Sequence, residues 1–360
     1  MPDPSPLRVV VVGAGIAGLV AACELEAAGV TVTLLDKGRS VGGRLATRRI
    51  GNARLDHGAQ FFTVRTPAFQ RRVDDWIDRG LVEVWCHGFG HGSLDTSGDD
   101  IDSTSASDGY PRYVATGGMN SLAKDLANGL DVEVSTMVFT VRPGTDARWD
   151  VVIDDGTTRP ADAVVITAPL PQAFSLLVDL AWTPEASDPD TGTGSSTVPD
   201  HGVELDESVF RVDYDRTIGL LCTVDGPTAV PEPGGVQHPD APGEGARVFS
   251  FIGDNQRKGV SDAPALTFHA SPAWSEAHWD DDLDDLKVQL TEAAQPWLGS
   301  AKIVEAQVKK WRLATPRSIW PDPCWSTANG SIIVAGDAFA GPRVEGAHNS
   351  GLAAAHELLG

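Results

Sequence analysis

The order of apolar and polar positions near the start of the chain predicts a strand, a helix and a second strand. Residues 8–12, "RVVVV", form a continuous β-branched run of the kind found in a strand buried on both faces. The next stretch, "GAGIAGLVAACELEAAGV", carries apolar residues at helical intervals. "TVTLLD" then predicts a strand that ends at Asp36. These elements in this order predict a parallel α/β unit.

Later stretches predict short strands with few helices. "DVEVSTMVFTVRP" and "WDVVIDDGTTRPADAVVITAP" predict strands joined by an Asp-Asp-Gly turn, with a buried strand at 163–168. "VFSFIGD", "ALTFHA" and "AKIVEAQVKKWRLA" predict further strands, and "SEAHWDDDLDDLKVQLTEAAQPWL" predicts an acidic-faced helix that stops at Pro296. Near the C-terminus, an apolar strand at 332–335 precedes Gly336, Asp337 and a small-residue helix that starts near Gly346.

Glycine-rich strand ends therefore occur at both ends of the chain, and we predict an α/β fold with two discontinuous domains. The predicted cofactor domain comprises 1–70, 111–170 and 325–360, and the predicted substrate domain, with a mixed sheet, comprises 71–110 and 171–324. Within these ranges, 90–109 and 184–202 are rich in Ser, Thr, Asp and Gly and predict flexible acidic loops.

Charge and composition exclude some classes of partner. The chain has 50 acidic and 28 basic residues, a net charge of −22, so nucleic acid and anionic membranes are poor partners for it. The acids are 36 Asp and 14 Glu, and the bases are 21 Arg and 7 Lys. An Asp-rich, Lys-poor surface suits a protein that stays soluble in concentrated salt, which suggests a halophilic source. An ordinary acidic cytosolic enzyme is the alternative.

The cysteines and the apolar runs indicate the compartment. The four cysteines, Cys23, Cys86, Cys222 and Cys324, include no CxxC pair, so we predict neither a zinc site nor a disulfide framework, and no other metal site. The longest apolar run begins near Val9 and is interrupted by glycines, so we predict no membrane span. We expect a reduced, cytoplasmic protein.

The glycines after the first strand give the clearest chemical signal. Gly13, Gly15 and Gly18 have G-x-G-x-x-G spacing between a predicted strand and a predicted helix. In this setting the first glycine makes a tight turn, the second lets a pyrophosphate approach the backbone, and the third brings helix and strand together. Asp36 is then placed to accept hydrogen bonds from the adenosine ribose. The pattern predicts a bound dinucleotide.

A Gly-Gly-Arg element, Gly42, Gly43 and Arg44, follows, and "AGDA" occurs near the C-terminus. Together the three motifs resemble the two-domain FAD enzymes of the glutathione-reductase and amine-oxidase type. The resemblance implies that the arginine meets phosphate oxygens and that Asp337 binds the ribityl or pyrophosphate region. It also implies that the C-terminal helix points its N-terminus at the flavin N1/O2 edge. The implied ligands of non-covalent FAD are Gly13, Gly15, Ile16, Ala17, Gly18, Asp36, Lys37, Gly43, Arg44, Val138, Gly336, Asp337, Arg343, Val344 and Ala347.

Five further segments resemble the renalase family, especially its bacterial members. They are "LDHGAQFFTVRTPAF", "PRYVATGGMNSLAKDLA", "TFHASPAWSEAHW", "KKWRLATP" and "GPRVEGAHNSGLAAA". The resemblance implies oxidation of the 2- and 6-dihydro isomers of NAD(P)H to NAD(P)+, by hydride transfer to flavin N5, with O2 reduced to H2O2. It implies catalytic roles for Arg65 and His269 on the substrate side. It also implies that Tyr113 and Trp311 are walls for a flat ring.

Simpler interpretations of these residues stay open. Arg65 could contact the phosphates of the substrate or solvate a loop, and His269 could be a core histidine. Tyr113 and Trp311 could be core aromatics. Cys324 could attach the flavin, although an inert buried thiol is the simpler interpretation.

Two other functions are also open. The first is a flavin amine oxidase acting on a small amine. Such enzymes commonly have an aromatic residue two positions before the Glu-Gly-Ala of the C-terminal motif, where this chain has Arg343, and a guanidinium repels a protonated amine. The second is a non-catalytic FAD-binding redox sensor. The sequence predicts a small-molecule partner, a dihydronicotinamide nucleotide or an amine, together with O2, and leaves NAD or NADP preference and the oligomeric state open.

Overall fold

The structure, a computed structural model, describes residues 6–89, 109–181, 205–237 and 248–360. The strands are β1 (Arg8–Val12), β2 (Thr31–Asp36), β3 (Thr47–Ile50), β4 (Ala53–Asp56), β5 (Val82–Cys86), β6 (Arg112–Ala115), β7 (Asp131–Val134), β8 (Val138–Pro143), β9 (Trp149–Ile153), β10 (Thr158–Ala161), β11 (Ala163–Ile166), β12 (Tyr214–Asp225), β13 (Gly235–Gln237), β14 (Phe249–Asp254), β15 (Ala265–Ala270), β16 (Lys302–Pro316), β17 (Trp325–Ser326) and β18 (Ile332–Val334). The helices are α1 (Ile16–Ala27), α2 (Pro67–Asp78), α3 (Asn120–Leu126), α4 (Leu170–Ala181), α5 (Glu207–Phe210), α6 (Pro272–Ala277), α7 (Leu283–Leu298), α8 (Asp337–Ala340) and α9 (Val344–Leu359).

The chain divides into two compact units. The first unit comprises Met1–Gly43, Asp125–Asp213 and Ser318–Gly360, and the second comprises Arg44–Lys124 and Tyr214–Arg317. Across the described ranges, no helix has the length and apolarity that a bilayer crossing requires.

The first unit contains a six-stranded sheet in the order β17-β18-β11-β1-β2-β7. Its strands are parallel except for β17, which runs antiparallel to β18. Val9–Val12 of β1 lie at the centre, paired with β11 on one side and β2 on the other, and are buried. The predicted strand–helix–strand unit and α/β fold class are therefore confirmed. A separate antiparallel sheet, β10-β9-β8, belongs to the same unit.

Two helices of the first unit pack closely at a glycine. A side chain on Gly351 of α9 would collide with the backbone carbonyl of Ala17 in α1. Glycine at this position therefore allows α9, from the end of the chain, to lie directly against α1, from its beginning. Both helices contribute N-terminal turns to the candidate site described below.

The second unit is built on an antiparallel five-stranded sheet in the order β13-β14-β15-β12-β16. One face of the sheet is apolar and packs against α7, through residues such as Leu220, Phe268 and Leu290. Alternate residues of the same strands point to the other face. That other face carries polar and aromatic side chains, among them His269, Lys309 and Trp311.

The compact units group some segments differently from the predicted domains. Residues 44–70 and 111–124, predicted in the cofactor domain, lie in the second unit. The reason is that Leu55 of the β3–β4 hairpin is buried in a cluster with Leu221 of the five-stranded sheet. Residues 171–213 and 318–324, predicted in the substrate domain, lie in the first unit. Within that unit, Thr140 of β8 donates a hydrogen bond to the Leu176 carbonyl of α4.

One helix prediction needs correction, and another is confirmed to within two residues. The predicted helix does not stop at Pro296: it is interrupted after α6, restarts at Leu283 with Asp282 as its N-cap, and continues to Leu298. Pro296 is accommodated in the last turn, and Trp297 and Leu298 are buried beyond it. The C-terminal helix starts at Val344, two residues before Gly346. The predicted loops 90–109 and 184–202 lie outside the described residues, apart from Gly109.

Candidate functional site

The glycine loop after β1 has the close packing that the spacing predicts. Gly13 has a φ of 105°, and a side chain there would come 2.7 Å from Thr167 Oγ1. A side chain on Gly18 would collide with the carbonyl oxygen of Gly13. Gly15 differs from both, because a Cβ at this position would meet no atom within 4 Å. The loop is therefore tightly packed against the protein at its two outer glycines and open at the middle one.

Asp36 holds this loop against the end of β2. Its Oδ2 accepts a hydrogen bond from the Ala14 backbone N–H at 2.7 Å, and its Oδ1 accepts one from the Gly38 N–H at 2.6 Å. Sequence reasoning assigned this carboxylate only to the ribose and missed its role in shaping the loop. Each carboxylate oxygen keeps further acceptor capacity, so binding of the ribose hydroxyls stays a prediction.

The Gly-Gly pair approaches the same loop. Gly42 donates its backbone N–H to the Ala14 carbonyl at 2.8 Å, and a Cβ on Gly43 would lie 3.7 Å from the Cα of Gly15. Lys37 reaches across to Gln172, with 3.1 Å between Nζ and Oε1. The first unit thus brings Gly15 and Gly43 together at one backbone surface.

Hydrogen bonds fix the backbone of the C-terminal Gly336-Asp337 motif in the first unit. The Gly336 N–H donates to Ser350 Oγ at 2.8 Å, and that hydroxyl donates to the Pro323 carbonyl at 2.6 Å. Asp337 begins α8 and is 8% exposed. Arg343 is the exposed N-cap of α9, with a backbone carbonyl that accepts the first helical hydrogen bond, from Ala347 at 3.0 Å.

The remaining predicted FAD ligands of this unit are apolar. Ile16 and Ala17 are buried in the first turn of α1, Val138 is buried at the start of β8, and Val344 is buried at the start of α9. They can supply backbone groups and apolar contact area rather than charge.

The first unit fits a dinucleotide on two observations of its own. Neither N-cap residue, Gly15 of α1 or Arg343 of α9, offers a side-chain acceptor to the N–H groups of the first turn of its helix. Such groups, with the positive end of the helix dipole, bind phosphates and other anionic groups. The second observation is the open backbone at Gly15, beside Gly43, where a pyrophosphate can approach without meeting a side chain.

In the second unit, candidate site residues form a row across the sheet. Phe251, His269, Gly219 and Lys309 are successive cross-strand partners on β14, β15, β12 and β16. Directly paired residues of antiparallel strands point to the same face. Because Gly219 has no side chain, the row is open between His269 and Lys309. Trp311 lies two residues beyond Lys309 on β16 and therefore faces the same way.

Trp311 and His269 meet at His57, which follows β4. The Trp311 ring stacks on the His57 ring with 5.3 Å between centroids and 26° between planes. The Trp311 indole N–H donates to the His57 carbonyl at 2.7 Å. Gln60 Nε2 lies 3.5 Å from Nε2 of His269. The sequence predicted Trp311 and His269 as residues of the substrate site, whereas it gave no prediction for His57 and Gln60.

Both imidazoles are neutral at pH 7. Burial lowers the pKa of His269 to about 4, against the opposing effect of a hydrogen bond to the His57 backbone. Burial also lowers the pKa of His57 to about 4, and the charges of Lys309 and Arg48 act in the same direction. The aromatic surface made by these rings is therefore uncharged at pH 7.

A buried ion pair supports this group. Lys258 Nζ lies 2.8 Å from Asp56 Oδ2, and both side chains are 0% exposed. Lys258 also donates to the Gln60 carbonyl at 3.1 Å. Asp56 Oδ1 accepts from the Met119 N–H at 2.8 Å and from Thr47 Oγ1 at 2.5 Å. The pair thus fixes the segment that carries His57 and Gln60.

The other predicted residues of the second unit have different surroundings. Tyr113 is 7% exposed in β6 and stacks on Phe62 at 5.5 Å, so it is a core aromatic. Arg65 is exposed in the loop that precedes α2. Arg44 is half-buried and donates from Nη1 to the Ala314 carbonyl at 3.1 Å. Neither Arg65 nor Tyr113 belongs to the five-stranded sheet that carries His269.

Sequence comparison finds similarity to flavin-dependent proteins over parts of the chain. Residues 11–79 match the family model of an NAD(P)-binding Rossmann-like domain, and 86–195 match that of a flavin containing amine oxidoreductase. Renalase from Mus musculus is 29% identical over 181 residues, covering 48% of this chain and 50% of that protein. An L-amino-acid oxidase from Crotalus adamanteus is 43% identical over 75 residues, covering 21% of this chain and 14% of that protein. The chain thus spans half or less of the length of these curated relatives.

Solved structures show the same fold along nearly the whole chain. A single mutant of putrescine oxidase, redesigned in cofactor binding, has a TM-score of 0.64 at 15% identity and covers 98% of this chain and 99% of its own. An oxidoreductase from Methanosarcina mazei has a TM-score of 0.59 at 13% identity, with 96% and 99% coverage.

The chain is thus similar to flavin containing amine oxidoreductases in residues 86–195, and its fold is that of solved oxidases. It is also similar to a renalase over 48% of its own length.

Proposed function

We propose that this protein is an FAD-dependent oxidase that converts the 2- and 6-dihydro isomers of NAD(P)H to NAD(P)+. FAD, held non-covalently by the first unit, supplies a two-electron acceptor when bound, and O2 is the final oxidant, giving H2O2. The similarity to a renalase, which extends over 48% of the chain, supports the reaction class. An amine oxidase is the alternative, because residues 86–195 match the model of a flavin containing amine oxidoreductase.

The observation that carries the proposal is the uncharged surface made by Trp311, His57 and His269. Oxidation of a dihydropyridine restores an aromatic ring and needs alignment more than a proton acceptor. An indole and two neutral imidazoles give a flat ring a surface to lie on. Because both imidazoles are neutral, neither repels the pyridinium cation that forms from the substrate.

The cofactor residues of the chain have separable tasks in this proposal. The open backbone at Gly15 and Gly43 takes the pyrophosphate, and the uncapped first turn of α1 donates N–H groups to it. The uncapped first turn of α9 provides a second set of N–H donors, with Arg343 at its N-cap. A cation at that position suits an anionic ligand better than a protonated amine.

The test is anaerobic stopped-flow absorbance of the flavin in the purified protein. The protein is mixed separately with the 2-dihydro and 6-dihydro isomers of NADH and NADPH, with ordinary NADH, and with a series of small primary amines. We expect rapid bleaching with an isomer and slow or no bleaching with ordinary NADH. Bleaching by an amine alone would favour the amine oxidase, and no bleaching by any compound would favour a redox sensor.

Variants connect this reaction to the site. His269→Asn removes the imidazole but keeps a polar side chain, and we expect the bleaching rate to fall at least tenfold. His356→Asn is the matched control because His356 is an exposed residue of the last turn of α9. Equal rates in the two variants would remove His269 from the proposal.

A further inference from the structure

Two basic side chains of the second unit converge on one strand. Arg48 of β3 donates from Nε to Gln307 Oε1 at 2.7 Å, which places its guanidinium over β16. Lys309 is two residues beyond Gln307 on the same strand, so the two side chains share a face. Gln307 donates its own amide to Glu305 Oε1 at 3.0 Å, which turns its carbonyl oxygen toward the arginine.

The charges in this group act on one another. The pKa of Lys309 is lowered by burial first and then by the positive charge of Arg48. Lys309 and Arg48 in turn act on His57. In the described part of the chain, no carboxylate forms an ion pair with Arg48 or Lys309. Two neighbouring cations in a chain of net charge −22 are therefore left without an acid of their own.

A third polar group lies unpaired beside them. The Nδ1 atom of His57 is fully buried and has no hydrogen-bond partner among the described residues. An unpaired buried nitrogen costs free energy, as does the repulsion between two close cations. A bound anion offsets the repulsion, because it neutralises the two cations beside the His57 ring.

We propose that Arg48 and Lys309, beside the ring of His57, form an anion-binding site that takes a phosphate group of the substrate. A guanidinium meets two phosphate oxygens at once, and an ammonium acts as a point charge beside it. Trp311, stacked on His57, is the aromatic surface nearest to this site. The site therefore selects a flat ring that carries a phosphate; the identification of that ring as a dihydronicotinamide rests on the proposed function.

The first experiment measures anion binding without turnover. Inorganic pyrophosphate is titrated calorimetrically into the FAD-loaded protein, so that the cofactor already fills its own phosphate site. The variants are Arg48→Met, Lys309→Met and both together. The controls are Arg49→Met, the exposed next residue of β3, and Lys302→Met, the exposed first residue of β16, which remove the same charge elsewhere. We expect at least tenfold weaker binding in the double variant and wild-type binding in both controls.

The second experiment identifies the ligand and separates this inference from the proposed function. Nicotinamide mononucleotide and nicotinamide riboside, which differ only by a phosphate, are titrated while the flavin spectrum is followed. We expect the mononucleotide to bind at least tenfold more tightly to the wild type, and this preference to disappear in the double variant. If pyrophosphate binding needs Arg48 and Lys309 but the protein shows no preference between the mononucleotide and the riboside, the anion site is supported and the nicotinamide ligand is overturned.

Two results would overturn the site itself. The first is pyrophosphate binding that is absent, or equally strong in the wild type and the double variant. The second is release of FAD by the double variant together with no pyrophosphate binding by the wild type, which would assign the two cations to the cofactor. Thermal unfolding of each variant establishes that it is folded before it is titrated.

Discussion

Trp311 contacts His57 twice, once by stacking its ring at 5.3 Å and once by donating its indole N–H to the backbone carbonyl at 2.7 Å. The first contact depends on ring area and the second on one nitrogen. A substitution can therefore remove one and leave the other. This separation makes Trp311 the most informative residue of the uncharged surface.

Trp311→Phe keeps an aromatic ring and loses the hydrogen bond. A single hydrogen bond contributes about 1 kcal/mol, so we expect kcat/KM for the isomers to fall roughly fivefold. Trp311→Ala also removes the surface, and we expect a fall of at least a hundredfold, chiefly in KM. The measurement is steady-state kinetics with O2 consumption.

Trp274→Phe is the control, because Trp274 stacks on His278 at 4.2 Å in a second tryptophan–histidine pair among the described residues. Similar losses in Trp311→Phe and Trp274→Phe would contradict a specific role.

Gly15 and Gly18 separate cofactor binding from folding. A Cβ on Gly15 meets no protein atom within 4 Å, and the residue has φ −75° and ψ 177°, which alanine adopts without strain. We expect Gly15→Ala to leave the melting temperature of the FAD-free protein unchanged while weakening FAD binding about tenfold or more, a loss of about 1.4 kcal/mol. In contrast, the methyl of Gly18→Ala collides with the Gly13 carbonyl.

The two alanine variants are compared by thermal unfolding without FAD and by fluorescence titration with FAD. We expect Gly18→Ala to lower the melting temperature even without the cofactor, because the collision lies within the protein. Gly29→Ala is the control for the loss of a glycine, since a Cβ there has no neighbour within 4 Å, although its φ of 85° makes some loss of stability expected. Normal FAD affinity in Gly15→Ala would mean that the pyrophosphate approaches elsewhere.

The ion pair of Lys258 and Asp56 predicts strong thermodynamic coupling. Removing one partner of a buried pair leaves an uncompensated charge and costs about 3–5 kcal/mol, whereas removing both costs less than the sum. We expect Lys258→Met and Asp56→Asn each to lower the free energy of unfolding, and the double variant to recover part of that loss. Urea unfolding of the four proteins measures the coupling. Additive losses would show that the two side chains stabilise the unit independently.

Much of the first unit could be predicted from sequence, because its signals are local. The β-branched run, the glycine spacing and the helical pattern each fall within about twenty residues, and the structure contains β1, α1 and β2 where they predict them. The role of Asp36 toward Ala14 was missed because a carboxylate that caps a loop and one that binds a ribose have the same sequence signature.

The site of the second unit was harder to predict, because its contacts join distant parts of the chain. Lys258 lies in "DNQRKGV", a polar stretch that is typical of an exposed turn, yet it is fully buried beside Asp56. His57 and Trp311 are 254 positions apart. Only the register of β12 with β15 and β16 brings His269 and Lys309 into one row. Single-strand patterns carry no information on register between strands.

The two neutral imidazoles predict how stability depends on pH. His57 and His269 have a pKa of about 4 in the folded protein, against 6.5 for an ordinary histidine. Above pH 6.5 neither the folded nor the unfolded state binds these protons. Between pH 6.5 and 4 the unfolded chain takes them up and the folded protein does not, so the free energy of unfolding falls as the pH falls. Below about pH 4 both states are protonated and this contribution stops changing.

We therefore expect His269→Asn to flatten the pH dependence of stability between pH 6.5 and 4, by about 1 kcal/mol per pH unit for the one proton removed. Urea unfolding at half-unit pH intervals gives the slope, and the difference from wild type cancels the carboxylates common to both proteins. His356→Asn, an exposed histidine, should leave the slope at its wild-type value. If His269→Asn and the wild type lose stability in parallel through this window, then folding does not lower the pKa of His269, and below pH 6.5 the surface beside Trp311 carries a positive charge that the proposed reaction needs it to lack.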